Sequence, residues 1–197
     1  MSSTERRRLT EDAFLEMERT AASKHEFVNG ETRAMPPCSP RHGLLAASIG
    51  IAVGSRLRGK PCSPVSSDVR VHVPDTGLYT YPDVTVVCGP PEYHPKDRDA
   101  ITNPRVIFEV LSRSTEDYDR GGKFEHYRRI TTLAEYVVVS QRAPHILHYR
   151  RLDRGEWLLA ELGPDDTLDL RALECTVPLA EIYERYLEFR SDDPAEA

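Results

Sequence analysis

Hydrophobic positions along the chain change period several times, and each change marks an element. Thr10 stands where an N-cap belongs, followed by the acidic Glu11 and Asp12 and by Ala13, Phe14, Met17 and Ala21 at helical spacing, which predicts a first helix ending near Ser23. Lys24 to Val28 has strand character, Asn29-Gly30 is a two-residue hairpin signal, and the return strand runs from Glu31 to Met35. Alternation puts Glu26 and Val28 on one face and His25 and Phe27 on the other. Ser39-Pro40 supplies a cap and a first-turn proline for a helix through Leu44, Leu45, Ile49, Ala52, Val53 and Leu57, with Gly50 and Gly54 expected to pack closely on a sheet.

Gly59-Lys60-Pro61 ends that helix, and alternation at Val65, Val69, Val71 and Val73 predicts one strand. Two apolar runs follow, Pro82 to Cys88 and Val106 to Leu111, joined by a polar, proline-rich loop from Gly89 to Arg105. A helix is expected over roughly Asp119 to Ile130, and strands over Glu135 to Ser140, His145 to Tyr149 and Trp157 to Leu162. The C-terminal part reads as a short strand near Cys175 to Val177 and a helix from Leu179 to Phe189. Residues 1–190 are expected to form a single domain and 191–197 a disordered tail.

Composition narrows the class. The 197 residues are 29% charged and 39% hydrophobic, the balance of a soluble globular protein. The most apolar stretch, Leu44 to Val53, falls far short of the ~20 residues that span a bilayer. With no secretory signal pattern at the N-terminus, a cytoplasmic location is the expectation. Cys38, Cys62, Cys88 and Cys175 are scattered without a C-x-x-C pair and read as free thiols. A net charge of -6 argues against a general nucleic-acid binder, although a bound metal ion can supply positive charge at a phosphate.

The candidate chemistry sits in the two apolar runs. Each carries one carboxylate, Asp83 in the first and Glu109 in the second, and burying a carboxylate in a strand is costly without a partner or an ion. Lys123 follows Glu109 by 14 residues and shares a helical face with Asp119 and Tyr127. Two carboxylates on neighbouring strands suit a hard cation such as magnesium or manganese, and a nearby lysine can stabilise charge or orient water. Leu111 stands beside Glu109 on the same face, where a lysine would have completed an acidic-x-Lys triplet. His145 and His148 point to opposite faces, which argues against a shared metal. His42, before a glycine near a helix N-terminus, is read either as a substrate contact or as a backbone cap.

These residues resemble a known family. Pro82-Asp83, Glu109-Val110-Leu111-Ser112 with Ser114-Thr115, and Asp119 through Lys123 to Tyr127 look like the Uma-two family of endonucleases, a branch of the PD-(D/E)XK restriction-endonuclease-like superfamily. The resemblance extends upstream to His25 through Glu31 and Ser39 through Gly43, and downstream to Glu135 through Val139. It implies an α/β fold of α+β character, with a central mixed sheet flanked by helices and extra antiparallel C-terminal strands. It implies Asp83 and Glu109 as ligands of Mg2+ or Mn2+, Lys123 as the catalytic lysine moved to the following helix, and Glu26 as a further acidic residue facing the site. His42, Tyr127, Asp119 and Ser112 are candidates for contacting substrate or supporting the site. The expected activity is metal-dependent hydrolysis of nucleic acid, most naturally DNA, by a homodimer. A silent nuclease-fold module is the alternative, motivated by Leu111 and the acidic charge, and a carboxylate-pair glycosidase ranks last because Lys123 would have no role there.

Overall fold

The computed structural model describes residues 8–111 and 121–189. Helix α1 (Glu11–Thr20) starts where Thr10 accepts the Ala13 amide on its hydroxyl, and buries Phe14 and Leu15. Strands β1 (His25–Val28) and β2 (Glu31–Ala34) form the expected hairpin, with Asn29 and Gly30 both at positive φ. Helix α2 (Pro40–Arg56) is capped by Ser39, which accepts the His42 amide, and has Pro40 in its first turn.

The predicted strand through Val65 and Val73 is instead two strands, β3 (Cys62–Ser66) and β4 (Arg70–Val73), lying in different sheets. The turn at Ser67–Asp68 breaks the alternation that four valines had seemed to continue. Strand β5 (Leu78–Thr80) precedes β6 (Val84–Cys88). The expected loop after β6 folds as a small hairpin of β7 (Tyr93–His94) and β8 (Asp97–Ile101), followed by β9 (Pro104–Val110). Helix α3 (Lys123–Tyr127) follows a wide helical turn at Gly121–Gly122 and ends before the expected Ile130, while its expected start at Asp119 lies outside the described residues. Strands β10 (Glu135–Val139), β11 (Ile146–Arg151) and β12 (Trp157–Leu162) form a meander. Strands β13 (Thr167–Leu170) and β14 (Cys175–Pro178) pair with each other. The expected C-terminal helix is divided, with α4 (Leu179–Ile182) separated from a 3-10 turn over Tyr186–Phe189 by Arg185 at φ 61°. A non-glycine residue at positive φ interrupts a helix.

Among the described residues two mixed six-stranded sheets result, in the orders β2-β1-β5-β4-β8-β7 and β12-β11-β10-β9-β6-β3. In the second, β9 and β10 are parallel and β6 and β9 antiparallel. Alternation along β9 sends Val106, Phe108 and Val110 into a core shared with α2 and α4, and Ile107 and Leu111 into a core shared with Val71, Val73 and Leu78 of the first sheet and with Tyr127 of α3. The far face of the first sheet packs Phe27 and Tyr79 against Phe14 and Leu15 of α1. The layers therefore run α2 and α4, second sheet, first sheet, α1.

The reading of all four cysteines as free thiols is wrong for two of them. Cys62 and Cys88 are register partners across the antiparallel pair β3 and β6 and form a disulfide, while Cys38 and Cys175 are free. Linear spacing carries no trace of that register. The expected close packing of both α2 glycines holds for one: a Cβ on Gly54 would meet Pro64 at 3.2 Å, whereas one on Gly50 would meet nothing within 4 Å.

Candidate active site

Glu109 lies on the central strand β9, on the face between the two sheets, and is 3% exposed. Burial of a carboxylate there demands partners. Lys123 Nζ, from the first position of α3, sits 3.1 Å from Glu109 Oε1 and 3.2 Å from Glu26 Oε1. Tyr127, one turn on, donates its hydroxyl to Glu109 Oε1 at 2.7 Å. Burial, then the adjacent Glu109 charge, pushes the Tyr127 phenol well above its ordinary pKa, so it stays a donor. Glu26 reaches this group from β1 of the other sheet, and Thr80 of β5 donates to Glu26 Oε1 at 2.6 Å. A lysine on a helix thus joins two carboxylates that come from two different sheets.

Asp83 immediately precedes β6. Because Val84 pairs with Phe108, Asp83 falls one register step further, level with Glu109. Its Oδ2 accepts the Val110 amide at 2.7 Å and its Oδ1 lies 2.7 Å from His42 Nε2. The second contact comes from the first turn of α2, which the Ser39 cap and Pro40 hold in place. Each carboxylate oxygen has two lone pairs, so these bonds leave acceptor capacity on Asp83 for an ion.

Asp83, Glu109, Lys123 and His42 all line one cleft of about 1310 Å³, which also includes Leu111 and Gln141. Leu111, where a strand lysine would have completed the triplet, thus lines the same cleft as Lys123. Gln141 was not singled out from the sequence, yet it orders the rim: its Nε2 donates to the Leu111 carbonyl at 2.5 Å and its Oε1 accepts from Ser39 Oγ at 2.9 Å. Thr80 was missed as well. A polar residue at the end of a strand is too ordinary to flag either one. Ser112 and Asp119 lie outside the described residues.

The donor set of Asp83 and Glu109 is all oxygen, which fits a hard divalent ion, and two carboxylates level on adjacent strands fit its small coordination sphere. Lys123 already pairs with Glu109, so taking up an ion there would exchange part of that pairing.

Comparison with known proteins places the chain in a family and a fold. Residues 11–180 match the profile of the Uma2 family, described as "Putative restriction endonuclease". Two uncharacterised proteins of Synechocystis are similar. One is 34% identical over 89% of this chain and 92% of its own length, the other 32% identical over 78% and 87%. A crystal structure of a "putative nuclease belonging to DUF820" from Anabaena variabilis superposes with a TM-score of 0.72 at 13% identity, over 89% of this chain and 97% of that one, which shows a shared fold.

Proposed function

The chain belongs to the Uma2 family of restriction-endonuclease-like proteins, and from that premise we propose that it hydrolyses phosphodiester bonds of nucleic acid, DNA in the first instance, with a divalent ion held by Asp83 and Glu109. One observation carries the reading: Lys123 Nζ lies 3.1 Å from Glu109 Oε1 on the wall of a cleft shared with Asp83. An ion of the magnesium or manganese type would polarise a phosphoryl oxygen and favour a hydroxide nucleophile. Lys123 offers its ammonium to the developing negative charge or to a water beside Glu109. Glu26 holds Lys123 from the opposite side, and Tyr127 orients Glu109. His42 fixes one oxygen of Asp83, leaving its carboxylate aimed by two bonds instead of one. The homodimer implied by the family resemblance has an available surface in β12, an edge strand with Leu158 and Leu159 exposed.

Incubating supercoiled plasmid with the purified chain, with and without Mg2+ or Mn2+, beside an Asp83→Ala control, tests the proposal. Metal-dependent nicking lost in the control is expected. Equal cleavage by both proteins would sink the assignment. A second reading, a silent binding module of nuclease fold, draws on the same group, because Lys123 paired with Glu26 and Glu109 offsets part of the buried negative charge without an ion. Calorimetric titration with Mn2+ separates the two: the module needs no carboxylate-dependent ion site, and the nuclease does.

A further inference from the structure

A second group of metal-ligating side chains lies on the opposite face of the first sheet from Glu26. Alternation sends Glu26 and Thr80 toward Lys123, and Phe27 and Tyr79 toward α1. On the α1 side, Glu11 from the first turn of α1, His72 of β4 and His94 of β7 converge until one ligand atom of each lies within 4.8 Å of the others. The two imidazoles meet edge to face with centroids 4.4 Å apart. His94 Nε2 is 3.7 Å from Glu11 Oε1, and the Tyr79 hydroxyl donates to that same oxygen at 2.9 Å. The Tyr79 hydroxyl is also 3.2 Å from His94 Nδ1. Lys96 reaches Glu11 Oε2 from the surface at 3.1 Å and Asp12 at 2.8 Å.

His72 is 5% exposed, and its Nδ1 is buried without a hydrogen-bond partner. A buried imidazole nitrogen left in that state has lost water and gained nothing, which calls for an explanation. Nothing in the nuclease site uses it.

We propose that Glu11, His72 and His94 form a site for a borderline divalent cation of the zinc type, clamping the start of α1 to the β4 and β7 part of the sheet. Two imidazoles and one carboxylate make a donor set that suits zinc and disfavours magnesium, which asks for oxygen alone. In tetrahedral coordination the donor atoms stand about 3.4 Å apart, so the three ligands close somewhat on the ion. Glu11, with 35% of its side chain exposed, and Lys96, with 55%, have the freedom to move. A fourth position next to the Tyr79 hydroxyl is left for water. The site is separated from Asp83 and Glu109 by the sheet itself, and borderline and hard ions would be sorted by ligand type.

The test uses the full chain stripped with chelator and titrated with Co2+, read by calorimetry and visible absorption. One equivalent is expected to give the intense d–d bands of a tetrahedral site without a sulfur charge-transfer band, and to be displaced by Zn2+. His94→Gln and Glu11→Gln each weaken binding by at least the roughly 10–100-fold that even outer partners of a ligand contribute. Asp83→Asn leaves these bands unchanged. Melting in EDTA checks that each variant is folded, and Glu11→Gln keeps an oxygen that can accept the Tyr79 hydroxyl. Wild-type affinity retained in folded His94→Gln and Glu11→Gln, absence of any tetrahedral band, or a thiolate band from the exposed Cys38 would each overturn the proposal.

Discussion

Lys123 stands between two buried carboxylates, Glu109 at 3.1 Å and Glu26 at 3.2 Å, and this makes it a stability residue as well as a catalytic candidate. Removing one member of a buried ion network costs on the order of 3–5 kcal/mol. Lys123→Met is therefore expected to melt well below wild type in EDTA, and to recover more of its melting temperature than wild type does when Mg2+ is added, since an ion would replace the lost positive charge. Equal metal shifts in both proteins would argue against an ion at Glu109. Tyr127→Phe removes a 2.7 Å bond to a carboxylate while keeping the ring packed, so urea denaturation should show a loss of ~1.5–3 kcal/mol with an unchanged m-value. The cysteines give a third check. Native, unreduced protein should label quickly at exposed Cys38 and slowly at Cys175, whose thiol burial pushes up, while Cys62 and Cys88 stay silent until reduced. Asp83 and Glu109 were legible as candidates because a carboxylate inside an apolar strand breaks the pattern around it, whereas Glu26 came in through the family resemblance. Gln141 and Thr80 break no pattern, and the pairing of Cys62 with Cys88 depends on a register that the spacing of cysteines does not encode.

Elements with strong local chemistry were readable to within a few residues. The cap at Thr10, the hairpin at Asn29-Gly30 and the Ser39-Pro40 start of α2 each satisfy a local geometric demand, and each is where the sequence puts it. Elements whose form depends on distant partners were not. Four alternating valines suggested one strand, but the turn at Ser67–Asp68 hands β3 and β4 to different sheets. Helix α2 separates local from tertiary effects in a single experiment. Gly50 faces open space, so Gly50→Ala should stabilise by about 0.5–1 kcal/mol through the entropy of the unfolded chain. Gly54→Ala gains the same entropy but must push on Pro64 of β3 at 3.2 Å, and much of the gain should be lost. Thermal denaturation of the two variants side by side measures that difference, and equal gains would mean that β3 yields without cost.

Across the whole molecule, alternation told which face of a strand is buried but not which sheet would cover it, so two sheets meeting over Glu26 and Glu109 lay beyond a reading of local patterns. The convergence matters because, on the proposed function, a chain of net charge -6 would have to approach a polyanion. Cations around the cleft are engaged: Lys24 pairs with Asp68 at 2.7 Å, Arg41 lies over Tyr186, and Lys123 holds two carboxylates. On the proposed function, an ion held by Asp83 and Glu109 would add attraction for phosphate to this cleft. Duplex binding should accordingly depend on the ion before any bond is cut. Anisotropy of a labelled duplex, kept intact at low temperature and moderate salt, is expected to show affinity at least about tenfold higher in Mg2+ than in EDTA, a difference of ~1.4 kcal/mol. The Asp83→Asn variant should lose that gain while keeping the weaker, salt-sensitive background. Equal affinity in Mg2+ and EDTA would mean that the protein grips its substrate through basic groups elsewhere, and that the carboxylates of the cleft do not gather charge for binding.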